Sequence, residues 1–471
     1  MGSRYLCLFD PGSIGAWILV GVLAPLCGCG AQLDKSMNTT TNSSSPNSVP
    51  APPSIPPVTN PPARSGPFYT VGTDVPSLQA CVNIAVPEST CMLPSGFLEH
   101  VAGPINISAS HISIECAQGA SVIAEASDRI FIITGTDITI AGCDLDGGLQ
   151  NGFSSYGIAI RDAHSVNIFN NTFHDFANVA IRITRGSSID IEGNRFSELR
   201  DNAVYGEMSI DTITVANNPL IDVSQRNDWG AGVALHSTAP GETVKNITIS
   251  NNFISNGSSF CVEIGAFGGN PPSNVLVLNN YCRQGSDTGD HGGYSFENTT
   301  GIIVRGNLYD LHGTRKATLP GIELVLGTRA AVTDNSLYGL GLSLDRQSAS
   351  EVSNNVIHDP LGGIAVYLGA NVASSAVSGN VVTENHIYYS LDQPSETGIW
   401  LQCNGGNADC SGNQIEGNFL NSSEISGVGI NIQRDQGVMQ NNSITGNTIS
   451  QFQTCIKHGS DSNSYRDNNC N

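Results

Sequence analysis

The chain has 471 residues, and its 52 glycines and 22 prolines exclude a long coiled coil. Its 20 basic and 41 acidic side chains give a formal net charge of −21, so no basic surface is expected that would bind the phosphates of DNA or RNA. The one long apolar segment lies near the N-terminus, which excludes a bundle of transmembrane helices.

Residues 1–28 are predicted to be a signal peptide. The apolar run 14–26 is too short to span a bilayer comfortably and is typical of a signal h-region. The run ends in LCGC, which resembles a bacterial lipobox, with Cys29 as the lipidated first residue of the mature chain. Cleavage near Gly28 or Gly30 that releases a soluble secreted protein is the alternative.

Residues 29–66 are predicted to be a tether behind the lipidated cysteine. Ser, Thr, Asn and Pro dominate the segment, and no apolar period is present. Such a tether would lift a domain off a membrane, and we expect that domain to occupy residues 67–471. The protein is therefore expected to be anchored to the cell envelope, at a periplasmic or surface face, or to be secreted.

A repeat begins near residue 105 and continues towards the C-terminus. Each copy has a small residue, two stretches of alternating apolar and polar residues and an Asn, as in YGIAIRDAHSVNIFNNTF (156–173) and VAIRITRGSSIDIEGNRF (179–196). Alternation with a period of two indicates strands, and a repeat of roughly 22–28 residues is too short for a propeller blade. It fits one coil of a parallel β-solenoid, with apolar side chains stacked inside and Asn side chains stacked at a turn.

This pattern resembles the right-handed parallel β-helix repeats of the pectin lyase-like superfamily over about residues 68–471. The resemblance implies an all-β fold, a right-handed parallel β-helix of about 12–13 coils. The stretch VPSLQACVNI (75–84) is similar to the entry of that fold, where a short N-terminal capping helix covers the unpaired strand edge of the first coil. Many activities share this fold, so the resemblance specifies fold more than function.

The cysteines indicate an oxidising compartment. Of the 13, Cys7 and Cys27 lie in the signal peptide and Cys29 is the lipidation candidate, so ten remain. Neighbouring cysteines, some at equivalent repeat positions, are expected to form five disulfides. The predicted pairs are Cys81 with Cys91, Cys116 with Cys143, Cys261 with Cys282, Cys403 with Cys410, and Cys455 with Cys470. Zinc is disfavoured because no Cys–His cluster has ligand spacing.

Chemistry is expected on the outer face of the strands that open each coil, at their second and fourth residues. The second-residue column holds Arg182, Tyr205, Glu263, Glu323 and Trp400, and the fourth-residue column holds Glu207, His236, Glu297, Asp345 and Tyr367. Five carboxylates over about six coils exceed what a solvated sheet needs. The resemblance implies that polysaccharide lies in a groove over one sheet, where aromatic rings would stack on sugars.

The four candidate catalytic residues are Glu263, Glu297, Glu323 and Asp345, and the other six of these residues are candidates for substrate binding. The register places Glu297 diagonally from both Glu263 and Glu323, at about 8 Å. An inverting glycosidase needs two carboxyl groups about 6.5–9.5 Å apart, one as acid and one as base for water. Repulsion between stacked carboxylates would raise the pKa of one of them and make it a usable acid.

Other functions stay open at this point. Elimination would need a cation to neutralise a uronate, supplied by Arg315 and Lys316 on a loop or by Ca²⁺ held by the carboxylates. Asp290 and His291 are the nearest partial match to a catalytic motif of the superfamily, and no complete motif is present. A non-catalytic glycan-binding or adhesive solenoid, or a structural envelope protein, is the alternative. We expect no obligatory cofactor, no defined metal ligands and no nucleotide site.

Overall fold

The computed structural model describes residue 58 and residues 64–148, 156–223, 230–255, 259–284, 292–311, 320–390, 396–459 and 462–471. The predicted signal peptide, Cys29 and most of the predicted tether lie outside these residues. Within the described ranges, no helix is both long and apolar enough to cross a membrane. The chain from residue 49 onward forms one compact unit.

The protein is an all-β, right-handed parallel β-helix of about 12 turns, which confirms the predicted fold class. Its 40 described strands, numbered in chain order, all pair in parallel with the strands of the coils above and below. Equivalent strands of successive coils form three parallel sheets, which run along the length of the solenoid. Each complete coil adds one strand to each sheet in turn.

The first sheet carries the candidate site. It contains β4 (Ile105–Ile107), β7 (Arg129–Ile133), the first halves of β10 (Tyr156–Phe169), β12 (Ile181–Glu192) and β14 (Val204–Ala216), β16 (Val233–Ser237), β19 (Val262–Ala266), β22 (Tyr294–Glu297), β25 (Ile322–Val325), β28 (Leu342–Asp345), β31 (Ile364–Ala370), β34 (Thr397–Cys403), and the second halves of β36 (Phe419–Arg434) and β38 (Thr448–Lys457).

The other two sheets complete each coil. The second contains β1 (Phe68–Thr70), β2 (Thr90–Leu93), β5 (Ile112–Cys116), β8 (Thr136–Ala141), the second halves of β10, β12 and β14, β17 (Val244–Ser250), β20 (Ser273–Leu278), β23 (Thr300–Arg305), β26 (Ala331–Thr333), β29 (Glu351–Ser353), β32 (Val381–Thr383), β35 (Gln414–Glu416), β37 (Ser443–Thr445) and β39 (Ser464–Arg466). The third contains β3 (Leu98–Val101), β6 (Ser121–Ala124), β9 (Asp144–Asp146), β11 (Thr172–His174), β13 (Arg195–Leu199), β15 (Leu220–Val223), β18 (Phe253–Ser255), β21 (Tyr281–Gln284), β24 (Leu308–Leu311), β27 (Ser336–Tyr338), β30 (Val356–His358), β33 (His386–Tyr389), the first halves of β36 and β38, and β40 (Asn469–Cys470).

Apolar side chains from all three sheets fill the interior. In the first sheet, the inward residues Ile158, Ile181 and Val204 lie in register on neighbouring strands, and all three are fully buried. Burying each such side chain contributes roughly 1.5–3 kcal/mol to stability. Because inward residues alternate with outward ones, the same register aligns the second and fourth residues of each strand on the outer face.

A ladder of buried asparagines stacks at the turn between the second and third sheets. The Nδ2 of Asn252 donates to the carbonyl of Val215 (2.9 Å) and to Oδ1 of Asn280 (2.9 Å). Its Oδ1 accepts from the backbone N–H (3.2 Å) and from Nδ2 (2.7 Å) of Asn218. The ladder also includes Asn171, Asn194, Asn307, Asn335, Asn355, Asn385, Asn418, Asn447 and Asn468. These bonds satisfy backbone groups that the turn removes from the sheets.

The predicted cap and disulfides are present. Helix α1 (Leu78–Ile84) starts at Ser77, whose hydroxyl accepts from the backbone N–H of Ala80 at 3.2 Å, and it contacts β2 and β4. All five predicted cysteine pairs form disulfides: Cys81–Cys91, Cys116–Cys143, Cys261–Cys282, Cys403–Cys410 and Cys455–Cys470.

Candidate functional site

The ten residues singled out in the sequence all lie on the outer face of the first sheet. The second-residue column pairs Arg182, Tyr205, Ala234, Glu263, Ser295, Glu323, Ser343, Tyr367, Trp400 and Asn431 from strand to strand. The fourth-residue column pairs Thr184, Glu207, His236, Gly265, Glu297, Val325, Asp345, Gly369 and Gln402. We call this surface the first-sheet face.

One predicted placement is wrong. The sequence predicts Tyr367 in the fourth-residue column, with Ile364 as the first inward residue of that strand. The structure pairs Tyr367 with Ser343 and with Trp400, so it lies in the second-residue column. Strand β31 is seven residues long and begins two residues before its inward register position, Val366. Tyr367 and Trp400 are therefore direct neighbours, with ring centroids 5.8 Å apart in an edge-to-face arrangement.

The carboxylate diagonal has the register that the sequence predicts. Glu263 pairs with Ser295, two residues before Glu297 on the same strand, and Ser295 pairs in turn with Glu323. Glu297 is thus one strand and two residues away from both Glu263 and Glu323, a separation of about 8 Å at the backbone. The three carboxylates alternate across the face rather than stacking in one column.

The surroundings of Glu297 favour the protonated form of its carboxyl group, as a general acid requires. Burial raises the pKa of its carboxyl group, and the positive charge of Arg346 opposes part of that effect. Arg346 itself binds Asp345, with its Nη2 and Nε atoms 2.7 Å and 2.9 Å from Oδ2. Asp345, the fourth predicted catalytic residue, is therefore held in an ion pair. Ser295 donates from its hydroxyl to Oε2 of Glu323 at 3.3 Å.

His236 is a buried neutral imidazole beside the diagonal. Its ring lies between Tyr205 and Phe267, in edge contacts with centroids 5.6 Å and 4.6 Å apart, and only 5% of the residue is exposed. Burial lowers the pKa of His236 to about 4. Its Nε2 lies 3.9 Å from Oε2 of Glu263 and has no hydrogen-bond partner among the described residues.

Arg182 and Glu207 close one end of the acidic stretch. The Nη2 of Arg182 lies 2.6 Å from Oε1 of Glu207, and its Nη1 donates to the hydroxyl of Tyr156 at 3.3 Å. Burial and the charge of Glu207 raise the pKa of Tyr205, so its phenol stays protonated. The net charge of this end of the first-sheet face is therefore close to zero, because the charges of Arg182 and Glu207 cancel and Tyr205 is uncharged.

The other end carries uncharged polar and aromatic side chains. The hydroxyl of Tyr367 donates to Oε1 of Gln402 at 2.9 Å and accepts from Nδ2 of Asn371 at 2.5 Å. The phenol lies across Gly369, where an added Cβ would come within 2.2 Å of the hydroxyl. Any side chain at that position would displace the ring.

Two groups of described side chains could hold a metal ion, and both lie away from the first-sheet face. In the first, Glu88, His111 and Asp137, the bidentate contact with Arg64 lowers the pKa of Asp137. In the second, Asp146, His174 and Asp175, the hydrogen bonds that the His174 ring donates to Asp144 and Asp175 raise the pKa of His174 to about 9. Protonation of His174 disfavours a metal ion there. The Ca²⁺ suggested for the acidic stretch stays a prediction.

Sequence reasoning missed several residues that shape the face. Phe267, which buries His236, follows β19 in a loop, and Arg346 follows β28, so neither belongs to the columns that were read. Gln402 and Asn431 lie in the columns but carry no charge or exposed ring that would have drawn attention. The loop residues Asp290, His291, Arg315 and Lys316 lie outside the described residues.

Comparisons with known proteins agree on the fold. Residues 105–254 match the family described as right handed beta helix region. No curated protein matches the sequence.

The solved structures that are similar to this chain are distant from it in sequence. A mannuronic acid specific polysaccharide family 6 lyase from human gut microbiota is 12% identical, with 86% of this chain and 83% of that chain covered and a TM-score of 0.40. PfbA, a surface adhesin of Streptococcus pneumoniae, is 16% identical over 77% and 83% of the two chains, with a TM-score of 0.42. A tailspike protein mutant of E. coli bacteriophage HK620 is 14% identical over 80% and 71%, with a TM-score of 0.49. The right-handed parallel β-helix fold rests on the parallel pairing of the strands and on the family match over residues 105–254.

Proposed function

We propose that the first-sheet face binds a polysaccharide and hydrolyses one of its glycosidic bonds. The observation that carries the proposal is the half-buried Glu297, on a diagonal with two further carboxylates, where burial raises the pKa of its carboxyl group and so favours the protonated form. In the reaction, Glu297 gives its proton to the glycosidic oxygen as the bond to the anomeric carbon breaks. Water attacks the opposite face of that carbon and loses a proton to the second carboxylate, so one water adds across the bond.

Glu263 is the better of the two candidate bases, because His236 lies beside it. Nε2 of His236 and Oε2 of Glu263 are 3.9 Å apart, a distance that one bridging water can span. A water oxygen about 2.8 Å from both atoms would make an Nε2–O–Oε2 angle of about 90°. Such a water would partner the otherwise unsatisfied Nε2 and face Glu297 across the diagonal. His236 then positions the water, and Glu263 takes its proton.

The spacing of about 8 Å between the backbone positions of the two glutamates favours inversion at the anomeric carbon. A retaining mechanism needs carboxyl groups about 5–5.5 Å apart, so that one can attack the sugar directly, whereas about 8 Å leaves room for a water. Glu323 stays the second candidate base. Asp345 accepts two hydrogen bonds from Arg346, so it is better suited to holding that guanidinium in place than to transferring a proton.

The remaining predicted residues would bind the sugar chain on either side of the acid. Tyr205, Tyr367 and Trp400 offer rings for stacking. Arg182 and Glu207 offer a paired guanidinium and carboxylate that can hydrogen-bond to hydroxyl groups.

We extend the proposal to location. The disulfides suit an oxidising compartment, and a lipid on Cys29 would hold the protein at the cell envelope. Metabolic labelling with a fatty acid should mark the wild type and not Cys29→Ser. Label on both would place the lipid elsewhere, and label on neither would favour a secreted protein.

A polysaccharide panel tests the activity, with reducing ends and unsaturated uronides measured together, with and without Ca²⁺ and EDTA. Hydrolysis produces reducing ends without the unsaturated signal. On a cleaved substrate, Glu297→Gln should lower kcat by roughly 10²- to 10⁴-fold, the usual contribution of a general acid. Glu351→Gln, which alters an exposed carboxylate of the second sheet, is the matched control. Unsaturated products lost on adding EDTA would instead indicate metal-assisted elimination.

A binding protein without catalysis is the second candidate. Its support is the uncharged end of the face, where buried polar atoms of Trp400 and Asn431 lack partners within the described chain. Tight binding of a glycan that is never cleaved would favour it.

A further inference from the structure

The C-terminal end of the first-sheet face has the features of a separate binding subsite. Four side chains, those of Tyr367, Trp400, Gln402 and Asn431, occupy neighbouring strands β31, β34 and β36. We call them the distal patch. Of these four, only Tyr367 and Trp400 are predicted from the sequence to bind substrate, and the catalytic proposal assigns no role to Asn431 or Gln402.

Two polar atoms of the distal patch are unsatisfied. Nε1 of Trp400, a donor, and Oδ1 of Asn431, an acceptor, are both buried and have no hydrogen-bond partner in the part of the chain that the structure describes. Asn431 as a whole is 93% buried, since 7% of its surface is exposed. Leaving such a group unpaired destabilises the protein, and a ligand that pairs with it would recover that free energy.

The two atoms are complementary to a hydroxyl group. Trp400 and Asn431 pair directly in register, on adjacent strands about 4.8 Å apart. A hydroxyl oxygen can accept from the indole N–H and donate to the amide oxygen at the same time. A carboxylate can only accept, so it would leave Oδ1 of Asn431 unsatisfied and place negative charge beside it.

The rest of the distal patch favours an uncharged ring. The hydroxyl of Tyr367 is already occupied by Gln402 and Asn371, so its contribution to a ligand is the face of the ring. Lys457 pairs with Asn431 in the next coil, but its side chain is exposed, and a charge in water is largely screened. On the opposite side lies the acidic stretch with Glu263 and Glu323, which would repel a polyanion.

We propose that the distal patch binds an uncharged sugar unit through one of its hydroxyl groups, which makes the substrate class a neutral polysaccharide. This inference rests on the proposed function in that the patch continues the same face as the catalytic carboxylates. Because both unsatisfied atoms are covered in the unliganded protein, binding requires the indole of Trp400 to move, and its fluorescence reports that movement.

A single-tryptophan protein tests the proposal without relying on catalysis. The sequence has three tryptophans, so W17F and W229F leave Trp400 as the only one in the full chain. The probes are hexamers of uncharged sugars (cellohexaose, xylohexaose, mannohexaose and maltohexaose) and hexagalacturonate as the charged counterpart. At least one neutral hexamer should shift the Trp400 emission saturably, and hexagalacturonate should not.

Two variants sharpen the result. Asn431→Leu should weaken binding of that hexamer about tenfold, because one hydrogen bond is lost, and Gln414→Leu, which removes an exposed amide from the second sheet, should leave it unchanged. A shift with hexagalacturonate alone, or with no hexamer at all, overturns the proposal. So does an affinity that Asn431→Leu leaves intact.

Failure of hydrolysis and failure of the distal patch give different results. If Glu297→Gln binds the neutral hexamer as the wild type does but neither protein cleaves it, the patch stands and the hydrolysis is wrong. If a neutral polysaccharide is cleaved and Asn431→Leu leaves KM unchanged, the hydrolysis stands and the patch is wrong.

Discussion

The buried imidazole of His236 should make the stability of the protein depend on pH in a way that can be measured. The ring lies between Tyr205 and Phe267, and burial lowers its pKa from 6.5 to about 4. Between these two values the unfolded chain binds a proton that the folded protein does not. The contribution of His236 to the free energy of unfolding is therefore complete above pH 6.5, and it decreases as the pH falls towards 4.

The magnitude follows from the two pKa values. One unit of pKa difference corresponds to 1.36 kcal/mol, so between pH 7 and pH 4.5 the protonation of His236 should cost the folded protein about 2–3 kcal/mol. The assay is urea unfolding followed by circular dichroism at both pH values, for the wild type and for His236→Leu, which cannot titrate. The pH-dependent loss of stability should be about 2–3 kcal/mol smaller in the variant.

A control separates His236 from its acidic neighbour. Glu263 carries an ionisable carboxyl group 3.9 Å from the imidazole, so the comparison is repeated in a Glu263→Gln background. If His236→Leu and the wild type lose the same stability on acidification in both backgrounds, the imidazole is not buried and neutral. The assignment of His236 as the residue that positions the water would then be wrong.

Two further predictions concern other parts of the solenoid. Asn252→Leu removes the bonds that satisfy the carbonyl of Val215 and the backbone N–H of Asn218, and it should lower the free energy of unfolding by roughly 2–5 kcal/mol in urea titrations; Asn106→Leu, at an exposed asparagine, should change it little. His174, whose pKa is raised to about 9, stabilises the fold below pH 6.5, and this contribution should disappear as the pH rises through 9. His174→Gln should unfold with less dependence on alkaline pH than the wild type, and equal dependence would mean that the ion pairs with Asp144 and Asp175 do not form.

The fold could be predicted from the sequence because a solenoid repeats its constraints. Every coil needs apolar side chains at the same inward positions, as at Ile158 and Ile181, and an Asn at the same turn, so a single chain contains many copies of one pattern. Cysteines placed at matching positions could be paired for the same reason. The carboxylate diagonal through Glu297 follows from that register alone.

The features that sequence reasoning missed depend on contacts that do not repeat. Strand β31 starts two residues early, which moved Tyr367 by one outward position, and nothing in the local pattern indicates that length. The loop residue Phe267 buries His236, and a loop conformation is not specified by strand periodicity. The His174 cluster lies on the third sheet, outside the outward columns of the first sheet where the sequence predicts chemistry.

The stereochemistry of the first product tests the central claim most directly. A neutral polysaccharide that the protein cleaves is digested briefly in an NMR tube, and the anomeric proton of the new reducing end is followed before mutarotation. We predict inversion of configuration for the wild type and loss of the signal in Glu297→Gln, because the backbone positions of Glu297 and Glu263 lie about 8 Å apart on the diagonal, a spacing that matches the carboxyl separation of inverting enzymes. Retention of configuration, or full activity in Glu297→Gln, would contradict the account.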